Sequence, residues 1–239
     1  MPEEFSESGA PIQRYDSPAE RKWTLPDTSD SNINEIERHI EAHIGKVDSV
    51  LHEILSDLVH IDVHIVKPTT LRPYSTLITS GMSDLPMVVP NEYAEFAYAE
   101  LMLCLPDGWP LNSDQEEHYW PIRWLKRLAR FPHEYKTWLG KLHSMPNGDP
   151  PEPIVANTQL CGVALGRPMT TSVDFHRLVI SPKKTIQFYS VLPVYADELA
   201  FKLKEGGEAL LEKMEQQKVT ELLNPTRKSV VTRPWWKVF

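Results

Sequence analysis

The sequence predicts an α+β fold: a single domain in which a mixed, largely antiparallel β-sheet is flanked by α-helices. Two observations predict it. The strand-like stretches fall into two groups, four ahead of the middle of the chain and three behind it, with helical stretches before, between and after them. They also fail to alternate regularly with helices, as a parallel doubly wound sheet would require. The count is about seven strands and five helices. A chain of 239 residues is long enough to bury a full core without disulfide or metal staples.

Taken in order, residues 1–30 are rich in Pro, Ser, Asp and Glu and read as a flexible N-terminal arm, in which Trp23 and Leu25 are able to dock on the body. Residues 31–46 read as a helix, because Ile33, Ile36, Ile40, Ile44 and Val47 recur at steps of three and four. Asn32 with Glu35 has the form of a capping box, and Gly45 marks the end. Residues 49–55 are short and ambiguous. Residues 59–66 alternate, with Val59, Ile61, Val63 and Ile65 on one face and His60, Asp62 and His64 on the other. Residues 76–80 form a third strand that stops at Gly81. Residues 95–105 form a fourth, apolar on nearly all of one face and mixed on the other, as a central strand covered on parts of both sides would be.

A turn at 106–111 leads to a helix over 121–131, with Pro121 suited to its first position and Glu116 and Glu117 placed just before it to complement the dipole. Arg123, Lys126, Arg127 and Arg130 form a basic stripe on that helix, and a further helical turn is expected over 133–139. Three more strands follow at 159–165, 175–180 and 185–192. Helices over 196–204 and 208–217, separated by Gly206-Gly207, close the domain, and Asn224-Pro225 stops the pattern. The tail from 225 to 239 is basic and aromatic.

The two halves meet at residues 138–153, W-L-G-K-L-H-S-M-P-N-G-D-P-P-E-P. Pro146 presets φ, Asn147 and Gly148 tolerate positive φ, and the prolines at 150, 151 and 153 exclude a central strand. The stretch reads as a rigid surface loop presenting His143, Asn147 and Asp149. Two readings stand side by side: His143 and Asp149 tie the loop to itself, or they perform acid–base work. Likewise, His60, Asp62 and His64, with His52 upstream, form either a solvated strand face or ligands for zinc or iron. The basic stripe is a solvated helix face or a docking strip for an acidic partner.

Composition narrows the function. The net charge is −8 and the pI about 5.6, which disfavours general nucleic-acid binding; Trp235, Trp236 and Phe239 of the tail are expected to pack rather than to stack on bases. There is no nucleophile elbow, no dinucleotide fingerprint and no phosphate-binding loop. Cys104 and Cys161 sit in apolar strands and read as buried, reduced thiols. The acidic N-terminus lacks an apolar signal core, and no run approaches the length of a membrane span, so a cytoplasmic protein is expected, with neither nucleic acid nor membrane as partner.

Several stretches together resemble the Suppressor of fused domain family. They are T-L-I-T-S-G-M-S-D-L-P-M at 76–87, E-L-M-L-C-L-P-D-G-W-P-L at 100–111, W-P-I-R-W-L-K-R-L-A-R at 120–130, H-S-M-P-N-G-D-P-P-E-P at 143–153 and I-Q-F-Y-S-V-L-P-V-Y-A-D-E-L at 186–199. The resemblance spans roughly residues 32–223 and is closest to the bacterial single-domain members, which places a Suppressor of fused-like domain at 31–224. It implies a non-enzymatic protein-binding domain without a cofactor. The animal protein of the family grips an extended peptide between this domain and a second one, whereas here only a short tail follows. Some bacterial relatives are similar to immunity or antitoxin proteins, which neutralise a toxin by direct binding, and an acidic chain suits a basic partner. The resemblance implies partner recognition near the loops at 80–84 and 142–149, through Ser80, Met82, Ser83, Asp84, His143, Met145, Asn147 and Asp149. These loops are expected to lie side by side. No residue is assigned as catalytic or as a metal ligand in this reading; the alternative is a metal- or His-dependent enzyme using His60/Asp62/His64 or His143/Asp149.

Overall fold

The computed structural model describes residues 4–16, 31–53 and 58–231. A short antiparallel pair, β1 (Glu4–Phe5) and β2 (Pro11–Ile12), comes first. Helix α1 (Ile33–His43) follows, then β3 (Ser49–Leu51), β4 (Asp62–Val66), β5 (Tyr74–Ser80) and β6 (Tyr98–Pro106). Helix α2 (Glu116–Tyr135) leads to β7 (Ser144–Pro146), β8 (Gly162–Gly166), β9 (Arg177–Ser181) and β10 (Lys184–Val194), and α3 (Ala196–Glu205) and α4 (Gly207–Gln216) close the described chain.

β3 to β10 form one eight-stranded sheet in the order β3-β4-β5-β6-β10-β8-β7, with β9 paired to the first half of β10. Every pair is antiparallel except β6–β10, which is parallel with Ile186 opposite Tyr98. The expected α+β class, with its mixed and mainly antiparallel sheet, is what the chain adopts.

Helices cover both faces. On one, Val63, Ile65, Leu77, Leu101, Leu103, Val163 and Val191 pack against Trp120, Trp124, Leu125 and Leu128 of α2. On the other, Ile36 and Ile40 of α1 meet Ile78, Met102 and Phe188, while Leu199, Leu210 and Met214 of α3 and α4 cover Ala164, Leu192 and Val194. Because both faces are covered, β4 is buried along its whole length. The expected solvated face of His60, Asp62 and His64 is therefore not formed: Asp62 and His64 are buried and His60 is half-buried.

Other boundaries shift for physical reasons. The two expected helices at 121–131 and 133–139 are one helix that starts at Glu116, runs through Pro121 and Pro132, and ends at Lys136 in the left-handed conformation. Pro121 thus lies inside it rather than at its start, and both prolines are buried against the core, so packing outweighs the lost amide bonds. The capping box of α1 is absent; Asn32 instead donates through its backbone N and its Nδ2 to Asp84 Oδ1, both at 3.2 Å. Within the expected arm, residues 4–16 pack on the body, with the Ser8 amide donating to the Leu203 carbonyl at 3.0 Å. Trp23, Leu25, Trp235, Trp236 and Phe239 lie outside the described residues. Residues 225–231 are anchored: Glu198, fully buried, accepts from both terminal nitrogens of Arg227 at 2.6 Å and from the Val230 amide at 2.9 Å. Cys104 and Cys161 are buried free thiols, and no helix among the described residues is long and apolar enough to cross a membrane.

Candidate functional site

The turn after β5 is built from below. Gly81 adopts φ 101°, and a Cβ there would lie 1.8 Å from the His60 carbonyl oxygen, so only glycine lets the chain turn this close to β4. Ser83 then drops onto the sheet: its amide and hydroxyl donate to Glu100 Oε1 at 2.9 and 2.6 Å, while Thr79 Oγ1 donates to Glu100 Oε2 at 2.6 Å. Burial pushes the Glu100 carboxyl up to about 7, against the pull of those donors. Ser80 shares a 2.9 Å hydrogen bond with His64 Nε2, and the Met82 carbonyl pairs with His133 Nε2 at 2.9 Å. Ser80, Met82 and Ser83 are consequently buried, and Asp84 is occupied at the start of α1.

In the central loop, Asn147 provides the tie that the sequence assigned to His143 and Asp149. Its amide donates to the Cys161 carbonyl at 2.7 Å, and its Nδ2 donates to the carbonyls of Glu152 and Pro153, both at 3.1 Å. His143 packs edge-on against Trp138 with centroids 4.4 Å apart, and burial pushes its imidazole down to about 4. Asp149 is exposed and pairs with Arg14. Met145 sits in edge strand β7 opposite Val163 and is half-buried.

The two loops are not side by side, because β6, β10 and β8 separate β5 from β7. Four inter-strand steps are roughly 19 Å. Beside the central loop lies an apolar, aromatic band that the sequence reading missed. Tyr93 stacks on Trp138 at 5.2 Å, Trp138 meets His143, and Tyr15 packs on Phe131 and Tyr135, each at 5.1 Å. The Tyr15 hydroxyl shares a 2.8 Å hydrogen bond with Thr137 Oγ1, and the Val88 amide donates to the Thr137 carbonyl at 3.1 Å. Leu85, Val88 and Tyr93 remain 46, 59 and 41% exposed. The available signal was Leu85, Val88 and Tyr93 in a Pro-bounded stretch lacking any strand or helix period, followed much later by Trp138 at the head of the central loop.

The histidines regroup as well. His52 Nδ1 donates to Asp62 Oδ2 at 2.8 Å and His60 Nε2 lies 3.0 Å from Asp62 Oδ1, whereas His64 turns away to Ser80 and burial pushes it down to about 4. On the basic stripe, Arg123 pairs with Glu116, Arg130 pairs with Glu53, and Arg127 lies over the Trp124 ring at 5.2 Å.

The fold and this surface define a helix-covered, mixed-sheet domain with an aromatic band beside its central loop. The family model described as Suppressor of fused protein (SUFU) matches residues 57–228, and the chain belongs to that family. No curated protein matches the sequence. Among solved structures, a SUFU homologue from Neisseria gonorrhoeae aligns with TM-score 0.59 at 15% identity, covering 84% of this chain and 96% of the other. A Sufu–Fu complex aligns with TM-score 0.59 at 14% identity, covering 84% and 93%. Drosophila Suppressor of Fused aligns with TM-score 0.57 at 13% identity, covering 87% of this chain and 52% of its own, so the chain spans about half of that protein.

Proposed function

We propose that this chain is a protein-binding module of the Suppressor of fused type that acts by stoichiometric association rather than by turnover, and that its partner is a toxin it neutralises as an immunity or antitoxin protein. The observation that carries the binding reading is the band of Leu85, Val88, Tyr93 and Trp138. It is apolar and partly exposed, beside Asp84 in sequence and against His143 in space, and surface patches of that kind mark interaction sites. A neighbouring structure of the same fold is of a Sufu–Fu complex, and the acidic total of −8 suits a basic partner. Of the eight residues first assigned to recognition, Asp84, His143, Met145, Asn147 and Asp149 remain as the rim and flank, while Ser80, Met82 and Ser83 support the turn from beneath.

The enzyme alternative lacks its arrangements. His64 faces Ser80 rather than joining His60 and Asp62, and His143 and Asp149 hold separate partners. Affinity capture from the native cell, with mass spectrometry and the genes beside this one as guides, identifies the partner. Val88→Asp and Tyr93→Asp are then expected to weaken binding at least tenfold, roughly 1.4 kcal/mol, with an unchanged circular dichroism spectrum. If both bind normally while Arg127→Glu abolishes binding, the partner docks on α2 instead.

A further inference from the structure

The corner between β3 and β4 brings a ring nitrogen of His52, a ring nitrogen of His60 and a carboxylate oxygen of Asp62 within 4.8 Å of one another. We propose that these three residues bind a divalent transition-metal ion of the zinc class, independently of the partner-binding band. Two imidazoles and one carboxylate form the donor set that zinc takes when three ligands come from protein and a further position stays open. Both rings already converge on one carboxylate, at 2.8 and 3.0 Å, in positions where a cation would replace the two shared protons. Metal–ligand bonds of about 2.0–2.2 Å place neighbouring donors somewhat over 3 Å apart, so each ring and the carboxylate part by less than an ångström while the widest pair of donors, within 4.8 Å, draws together.

The site is supported and balanced. Asp62 is only 4% exposed in its side chain, and its Oδ1 accepts the Glu53 amide at 3.0 Å, which fixes the carboxylate as outer partners of metal sites do. Cations of α2 lie nearby, and Lys126 interacts electrostatically with Asp62. Glu53 offsets two of them: it pairs with Arg130 and lies 3.9 Å from Lys126 Nζ. His52 also lines a cleft of about 540 Å³, which leaves room for the open position although its other wall carries Arg123, Lys126, Arg127 and Arg130 beside Glu53 and Glu134.

The test uses the full chain, stripped with a chelator and titrated with zinc by calorimetry, then with cobalt followed by visible absorption. One equivalent of zinc is expected, and cobalt should show the d–d bands of a low-coordinate N/O site. His52→Ala and Asp62→Asn should each weaken zinc binding roughly tenfold or more. His43→Ala, an exposed histidine on α1, should leave it unchanged. The His52 side chain is 63% exposed, so its removal leaves the fold intact and its result stands even if Asp62→Asn unfolds. Binding well short of one equivalent, or binding that survives His52→Ala, or binding equally reduced by His43→Ala, overturns the site.

Discussion

Glu100 shows how a single side chain makes the turn after β5 sensitive to pH. Its carboxyl is fully buried and pushed up to about 7 from an ordinary 4.5, so the unfolded chain ionises first as pH rises. The stability linked to this group is fully present below about pH 4.5, is lost as pH climbs through 7, and changes little beyond; the total is about 3 kcal/mol. His64 has the opposite sign: held down at about 4, it costs stability as pH falls below about 6.5. Glu100→Gln is expected to flatten the fall between pH 5 and 7 relative to wild type in urea unfolding, since His64 titrates alike in both. Parallel curves would show that Glu100 ionises as it does in water. Asn147 and Asp149 separate in the same way. Asn147→Ala should cost about 1–3 kcal/mol by orphaning two carbonyls, whereas Asp149→Ala, which removes an exposed ion pair, should cost under about 1 kcal/mol. The sequence marked both residues as loop residues, but which one points inward depends on where Cys161 and Pro153 lie, and only the fold settles that.

At the scale of elements, the turn after β5 depends on one glycine. Gly81→Ala brings a methyl group against the His60 carbonyl and forces a residue with a Cβ into positive φ, so a loss of about 3 kcal/mol or more is expected in the denaturation midpoint. A loss below 1 kcal/mol would mean that β4 shifts to accommodate it. Gly81 was legible as the end of a strand, because glycine after an apolar run is a strong stop. The face of β4 was not legible. Alternation of Val and Ile with His and Asp reads as one wet side, yet α1 and the neighbouring strands cover that side, and period two reports only polarity, not what packs above it. Pro121 misled in the same manner: a helix start was inferred from a residue whose burial under the core overrode its missing amide.

For the whole molecule, the class was visible because strand patterns stood on both sides of the central loop, and the resemblance over roughly 32–223 implied the same helix-flanked mixed sheet. The proposed site was half visible. The central loop was singled out, but the aromatic band combines residues 15, 85–93 and 131–143, and proximity across such separations is a property of topology, not of local pattern. Limited proteolysis should not release two folded halves after cleavage within 140–155, because β10 is held on one side by β6 and on the other by β8. Two stable fragments surviving gel filtration would contradict that.

The parallel pairing of β6 with β10 also has a consequence during synthesis. Ile186 lies opposite Tyr98, roughly ninety residues earlier, so β6 leaves the ribosome long before its neighbour exists. At about 5–20 residues per second, the apolar edge of Met102 and Leu103 waits for several seconds with unpaired amides and carbonyls. Nascent chains ending near residue 181 should therefore be retained by chaperones, and release should begin once residues 184–194 have cleared the exit tunnel and the last-made strand has closed the middle of the sheet.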